Sequence, residues 1–583
     1  MTDLADLFKK PQSRTHLQYE ALRAHFLEGQ EAREVAERFG YSLGSFRNLC
    51  TRLRGNPDLA PFFAERRPGP KANPDEPLRL RRDRRILELR RGRGLSVGEI
   101  SRRLGQERMP AGTTTVQRTL RRNGIGKLPR RSPGQRGAAL RPAAAPSADV
   151  RELDLSPQRL RTEFGGLFLF VPDLVRLDLD RIVGESGMPG SSMIPAGHAF
   201  RALLALKLWG IGRPPHVMAD ILDPGIALFA GLNVMPKRST LTEYSGRVDP
   251  KLCAGLMDRW HRALDGLGTD LGGDGSFDLD FHTIPWHGKD PEAPVERHYV
   301  SKRSRRQKGI LAFLARDADA RLFRYVNARV RKGDQNDEVL RFIEFWERRN
   351  GAPPQELVFD SRLTTHANLG RINGMGIDFL TLRRRSASLL AAIAAAPESD
   401  WRQVRLNNVG RIYRTPRVLD RRVRISGYPG DIRQLAVHGL GHERPTLLLT
   451  NQMGTSAGQL VDRYARRMVI ENAIADAIDF FHMDALSAAV PMRIDLDLQL
   501  TLMASGLYRL LAVRIGNGKQ TAKSRTLFRN FIKAPADISV DNDSITVRIG
   551  RRANNPFLLN ASYDETDIAV PWLMGRRLRI DFL

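Results

Sequence analysis

After Gly272 the hydrophobic period of the chain changes from that of a helix to two, and this change constrains the fold more than any other feature. In SFDLDFHTIP, Phe277, Leu279 and Phe281 alternate with Asp278, Asp280 and His282, so a strand here sends both carboxylates out of one face. Two acids on one strand face are unusual. The segments GILAFLARD and RLFRYVNARV read as a hairpin turning at DADA, behind the basic stretch SKRSRRQKG. NDEVLRFIEFWERRNG fits an amphipathic helix with Val339, Phe342, Ile343 and Trp346 inward and Gly351 closing it. ELVFDSRLTT then reads as a short buried strand ending at Asp360, and GIDFLTLRRR as a fifth strand. The order is strand, strand, strand, helix, strand, with acids on the first strand and at the end of the fourth.

A third acid has to come from a later helix, and QLVDRYARRMVIENAIADAIDFFHMDAL provides one. Tyr464, Arg467 and Glu471 stand at i, i+3 and i+7, which places a phenol, a guanidinium and a carboxylate on one stripe. Taken alone, an Arg and a Glu on one helix are usually a surface ion pair. Together with Asp280 and Asp360, the same residues suit phosphodiester chemistry: carboxylates for a metal, Arg467 and Tyr464 for a phosphate.

Charge favours a polyanionic partner, since 93 Lys and Arg face 65 Asp and Glu for a net +28. The start, MTDLADLFKK, carries no secretory apolar stretch, and no run approaches a membrane-spanning length. Cys50 and Cys253 are too few for a thiolate zinc site, and a reducing, cytoplasmic compartment fits them. His198 and His261 have no partners at metal-ligand spacing and read as surface or core residues.

Ahead of this region, residues 1–60 and 75–130 each read as a helix-turn-helix domain. In the first, Leu22, Phe26, Val35, Ala36 and Phe39 supply the apolar spacing; in the second, Ser96 and Thr113 are expected N-caps, with Ile100 and Leu104 inward. Candidate DNA contacts are Arg47 and Asn48 in the first domain, and Thr114, Gln117, Arg118 and Arg121 in the second. Arg303, Arg305, Arg306 and Lys308 of the basic stretch join them. A Pro-, Arg- and Ala-rich linker follows at 131–152, then a helical domain at 153–270.

The motif built on Tyr464, Arg467 and Glu471 resembles that of the DDE transposases of bacterial insertion sequences, the group with a Tyr-Arg-Glu-Lys signature. Position 478, where that group has its Lys, is Ile, expected to pack with Ile474 and Phe481. His482 stands on the stripe of Tyr464, about 16 Å along the axis from Glu471 at about 1.5 Å per residue, in reach of DNA but not of the metal. The resemblance implies a multidomain α/β chain: a ribonuclease H-like core at 271–386 and 456–515, interrupted by a β-rich insertion at 387–455 and followed by a β-containing region at 516–583. It favours Asp280 over Asp278 as first ligand, because Thr283 and Gly288 follow it. By resemblance, Trp401 in the insertion is a candidate for stacking on an unpaired base, with a core position as the equal alternative.

The implied activity is that of a DNA transposase acting on inverted repeats and target DNA as a homodimer or larger assembly in the bacterial cytoplasm, at the nucleoid. Two Mg²⁺ ions, replaceable by Mn²⁺ and roughly 3.5–4 Å apart, are expected on Asp280, Asp360 and Glu471. The competing readings are a catalytically inactive, transposase-derived DNA-binding regulator, to which Ile478 lends weight, and an RNA-cleaving nuclease of the same fold.

Overall fold

Ser13, Ser42 and Ser96 each accept the backbone N–H three residues on, and each opens a helix. The computed structural model describes residues 13–60, 76–128, 147–210, 223–268, 271, 273, 275–286, 294–300, 305–407, 414–441, 443–483 and 494–583. The helices α1 (Arg14–Phe26), α2 (Ala32–Arg38) and α3 (Leu43–Gly55) share a core of Leu22, Val35, Ala36, Phe46 and Cys50. A second trio, α4 (Glu76–Arg93), α5 (Val97–Gln106) and α6 (Thr113–Arg122), closes over Ile86, Ile100, Leu104, Val116 and Leu120. Ser96 and Glu99 complete a capping box at α5. Two expectations fail here. Thr113 is the first residue of α6 rather than its cap, a position taken by Gly112, and Phe26 lies exposed at the end of α1. Both trios belong to one compact unit, residues 1–143.

Residues 144–583 form the other unit. It begins with β1 (Gln158–Thr162), α7 (Ala196–Leu208) and α8 (Pro250–Gly266). The acid-bearing region follows as β2 (Ser276–Pro285), β3 (Val295–Val300), β4 (Arg305–Asp317), β5 (Phe323–Val330), α9 (Glu338–Asn350), β6 (Glu356–Phe359) and β7 (Asp378–Leu382). β4 is antiparallel to both β2 and β5, whereas β2, β6 and β7 run parallel in that order. The first and fourth strands of the predicted series are therefore neighbours. On α9, Val339, Phe342 and Ile343 are buried, Trp346 meets Phe277 edge-on, and Gly351 ends the helix at φ 76°.

The stretch expected as a β-rich insertion, 387–455, is not a separate body. Its strands β8 (Trp401–Gln403), β9 (Arg417–Arg424), β10 (Asp431–His438) and β11 (Thr446–Thr450) continue the same sheet from β7, in the order β7-β11-β10-β9-β8. The open edge of β7 pairs antiparallel with β11, which satisfies both rows of backbone groups.

Beyond α10 (Ala457–Asp479) and α11 (Ile494–Ile515), the chain ends in β12 (Ala536–Val540), β13 (Ser544–Ile549), β14 (Asp567–Ala569) and β15 (Arg577–Phe582). β1 pairs with β12 in a second sheet, β1-β12-β13-β15-β14. The predicted helical domain at 153–270 and the predicted C-terminal region at 516–583 thus share one sheet and one core, with Phe200, Trp260, Met503, Ile545 and Leu578 in a single cluster. Among the described residues α11 is the one helix long and apolar enough to cross a membrane, contrary to the reading that no such run exists; 83% of its apolar window is buried in this core. Most of the expected linker at 131–152, together with Arg303, Gly272 and Gly288, lies outside the described residues.

Candidate functional site

The helix α10 starts at a capping box made by Ser456 and Gln459 and lies against β2, β6 and β7. Along β2, Asp278 and Asp280 are two residues apart, about 6.6–6.8 Å; along α10, Arg463 and Arg467 are one turn apart, about 6.0 Å. The two repeats nearly match, so each guanidinium meets one carboxylate of β2. Arg463 donates to Asp278 at 2.8 Å, to Glu356 at 2.5 Å and to Ser276 Oγ at 2.9 Å. Arg467 lies 3.2 Å from Asp280 and 3.6 Å from Glu471.

These two rungs differ in access. Asp278 is 1% exposed and paired with Arg463 at 2.8 Å, with Arg316 4.0 Å away, so its charge is already matched. Asp280 is half-buried at the mouth, its Oδ1 accepting the amide of Phe281. Burial pushes the Asp280 carboxyl up to about 6, opposed by Arg467 and reinforced by the charges of Glu471 and Asp360. Asp360 follows the last residue of β6, where its Oδ1 accepts the amide of Ser361 at 2.5 Å. The Glu471 side chain is 56% exposed. The three predicted acids therefore come from a strand, the end of its parallel neighbour and a helix, and Asp280 feels the charge of both others.

Arg467, 5% exposed, stands among them. Burial works against its charge, but Asp280, Tyr464, Asp360 and Glu471 outweigh that and hold its pKa above the ordinary value. The Tyr464 ring lies 5.9 Å from the Arg467 guanidinium carbon, and burial keeps its phenol protonated. Among the described residues no three His, Cys, Asp or Glu side chains are close enough to hold a metal ion as they stand. The donors fit a hard divalent cation in kind, being carboxylates of which Glu471 and Asp360 both raise the pKa of Asp280, and the Glu471 side chain is exposed.

Residues 272–507 match the family model of the transposase DDE domain. The match covers Asp280, Asp360 and Glu471 and supports a DDE transposase family for this part of the chain. A solved structure described as a piggyBac transposase synaptic complex with hairpin DNA matches with a TM-score of 0.33 and 11% identity, over 64% of this chain and 82% of that one. No curated protein matches in sequence.

Ile478 packs beside Ile474 and Phe481 in the core, as expected. His482 leaves the stripe of Tyr464: α10 ends at Asp479, and His482, at φ 55°, turns its Nε2 to the Gly210 carbonyl. Trp401 on β8 is six strands from β2, about 29 Å at about 4.8 Å per strand, so it is not near the carboxylates. It is half-buried beside Leu419 and Ile393, with Arg417 over its ring. Arg305, Arg306 and Lys308 are exposed on the first residues of β4, which pair with β3. Within the N-terminal unit, Arg47 and Asn48 are exposed on α3, and Thr114, Gln117, Arg118 and Arg121 on α6. Sequence reasoning missed Arg463 and Glu356; the signal was the i, i+4 spacing of Arg463 and Arg467 opposite Asp278 and Asp280.

Proposed function

We propose that this chain is a DNA transposase that binds the ends of an insertion sequence and carries out metal-dependent strand cleavage and strand transfer. The observation that supports this reading is that the charges of Asp280, Asp360 and Glu471 all act on Arg467, inside the region that matches the transposase DDE domain. Asp280, Asp360 and Glu471 would hold Mg²⁺ or Mn²⁺, which when bound would supply activation of a water or 3′-hydroxyl and neutralisation of charge on the attacked phosphate. Arg467 fixes the first carboxylate and offers its remaining N–H groups to a neighbouring phosphate, and Tyr464 brings a protonated phenol to the same place. The two helical trios act as helix-turn-helix domains, with α3 and α6 presenting Arg47, Asn48, Thr114, Gln117, Arg118 and Arg121 to the major groove. Arg305, Arg306 and Lys308 contact backbone phosphate, and a homodimer or larger assembly pairs the ends.

The buried Ile478 favours a second reading, a DNA-binding regulator without catalysis, since it leaves one phosphate-contacting cation out. Incubation of the full chain with a donor that carries the element's native ends and Mg²⁺ separates the two. The transposase cuts at the ends and Asp360→Asn abolishes the cut with end binding retained; specific binding with no cutting by the parent chain establishes the regulator instead.

A further inference from the structure

A different face of α10, through Asn472 and Asp476, lines a cavity of about 350 Å³ that includes none of the three carboxylates. Arg316, Arg321, Arg509 and Lys523 line it too, against Asp476 as the single acid. Asp476 already accepts the amide of Ser524. Arg316 is 4% exposed and its Nη1 makes no hydrogen bond; its nearest carboxylate, Asp278 at 4.0 Å, is engaged by Arg463 at 2.8 Å. Arg509 is held by two neutral carbonyls, Ala320 at 2.9 Å and Gln520 at 2.5 Å. Among the described residues no carboxylate oxygen stands within 4.0 Å of Arg321, Arg509 or Lys523.

Two further facts show that this excess of cations is held against resistance. Arg321, in the β4–β5 turn, adopts φ 60°, a left-handed conformation that disfavours any residue with a Cβ. Burial, with the charges of Arg321 and Arg509 acting against the help of Asp278, brings Arg316 down to about 10. Guanidinium groups that oppose one another in a half-enclosed space are relieved by a tetrahedral oxyanion, whose oxygens suit their paired N–H groups.

We propose that this cavity is a phosphate-binding site separate from the carboxylates, in which Arg316, Arg321 and Arg509 take the oxygens of one phosphate group, free or in a nucleic-acid backbone. The inference is independent of strand cleavage, because its test needs neither metal nor a cleavable end. The full chain is titrated with inorganic phosphate, ionic strength being held constant with sodium chloride, and Tm is followed. In the parent, Tm rises with phosphate and saturates. Arg321→Gly removes a guanidinium and also the left-handed strain, so the variant has a Tm at least equal to the parent's without phosphate, and a phosphate affinity about tenfold or more weaker. Binding of a labelled DNA duplex identifies the source. Duplex affinity that falls with Arg321→Gly and is competed by phosphate means a backbone phosphate, and unchanged duplex affinity with a lost phosphate response means free phosphate. An unaltered phosphate response in Arg321→Gly, or a rise in the parent that sodium chloride alone reproduces, overturns the proposal.

Discussion

Asp278 and Asp280 leave the same face of one strand, yet the fold uses them in opposite ways. Asp278 is paired with Arg463 in a buried position, so removing that guanidinium strands a buried charge, at a cost of about 3–5 kcal/mol. Asp280 stands near 6 in the fold, above the ordinary carboxylate value. The folded chain therefore binds its proton more tightly than the unfolded chain, and ionisation between about pH 4 and pH 6 works against the fold. Arg463→Met is expected to lose about 3–5 kcal/mol in urea unfolding, whereas Asp280→Asn loses no stability at pH 7 and yet abolishes cleavage. Comparable destabilisation by the two would mean that Asp280 is a structural acid. At this scale the acids were legible because alternation fixes their face. The choice of Asp280 came from resemblance, since period alone cannot show that Arg463 and Arg316 stand beside one acid and Arg467 beside the other.

At the level of elements, strongly periodic segments were read correctly, and the strands that were missed are those whose pattern is masked by charge. β3, VERHYV, precedes a basic run without alternation, although Arg305 and Arg306 are ladder residues paired with Val300 and Tyr299. β1, QRLRT, buries only its last residue and has no alternation to detect. The docking of α8 shows another contact hidden from sequence. His261 is fully buried on its inner face, and among the described residues neither ring nitrogen has a hydrogen-bond partner. Burial, then the charges of Arg324 and Arg349, hold its pKa well below the ordinary value. In acid the unfolded chain takes up this proton near pH 6.5 and the folded chain does not, so the contribution is complete above pH 6.5 and is lost as pH falls. One such proton corresponds to about 1.4 kcal/mol per pH unit. Buried carboxyls such as Asp280 and Asp497 titrate with the opposite sign, which makes the difference between variant and parent the quantity to measure. His261→Leu is expected to flatten the fall in unfolding free energy between pH 6.5 and pH 5 by up to that slope. Parallel pH profiles for variant and parent would show that His261 takes up its proton in the fold.

For the whole molecule, the division that matters is not the one composition suggests. Predicted boundaries near 153, 270, 387 and 516 follow changes of period along the chain, whereas the fold joins segments far apart in sequence. β1 is completed by β12, Trp572 donates to the Phe229 carbonyl at 3.0 Å, and Arg514 pairs with Asp173. A Cβ on Gly166 would stand 2.0 Å from the carbonyl oxygen of Ile532, so these two stretches touch backbone to backbone. The same core includes Ile284 and Ile310 of the carboxylate-bearing sheet, which ties the site to both ends of residues 144–583. Loss of residues 516–583 would therefore uncover the β1 edge and much of the shared core, rather than trim an appendage. A chain that stops at Ile515 is expected to lose both cleavage and the cooperative unfolding of the larger unit, while the helical trios keep their own transition. A chain that starts at Ala144 keeps the larger transition. Calorimetry of the two shortened chains decides the matter, and Gly166→Ala in the full chain tests the same seam with a single methyl group, lowering only the larger unit's transition. Cooperative unfolding of the larger unit in the chain ending at Ile515 would restore the C-terminal strands to an independent appendage.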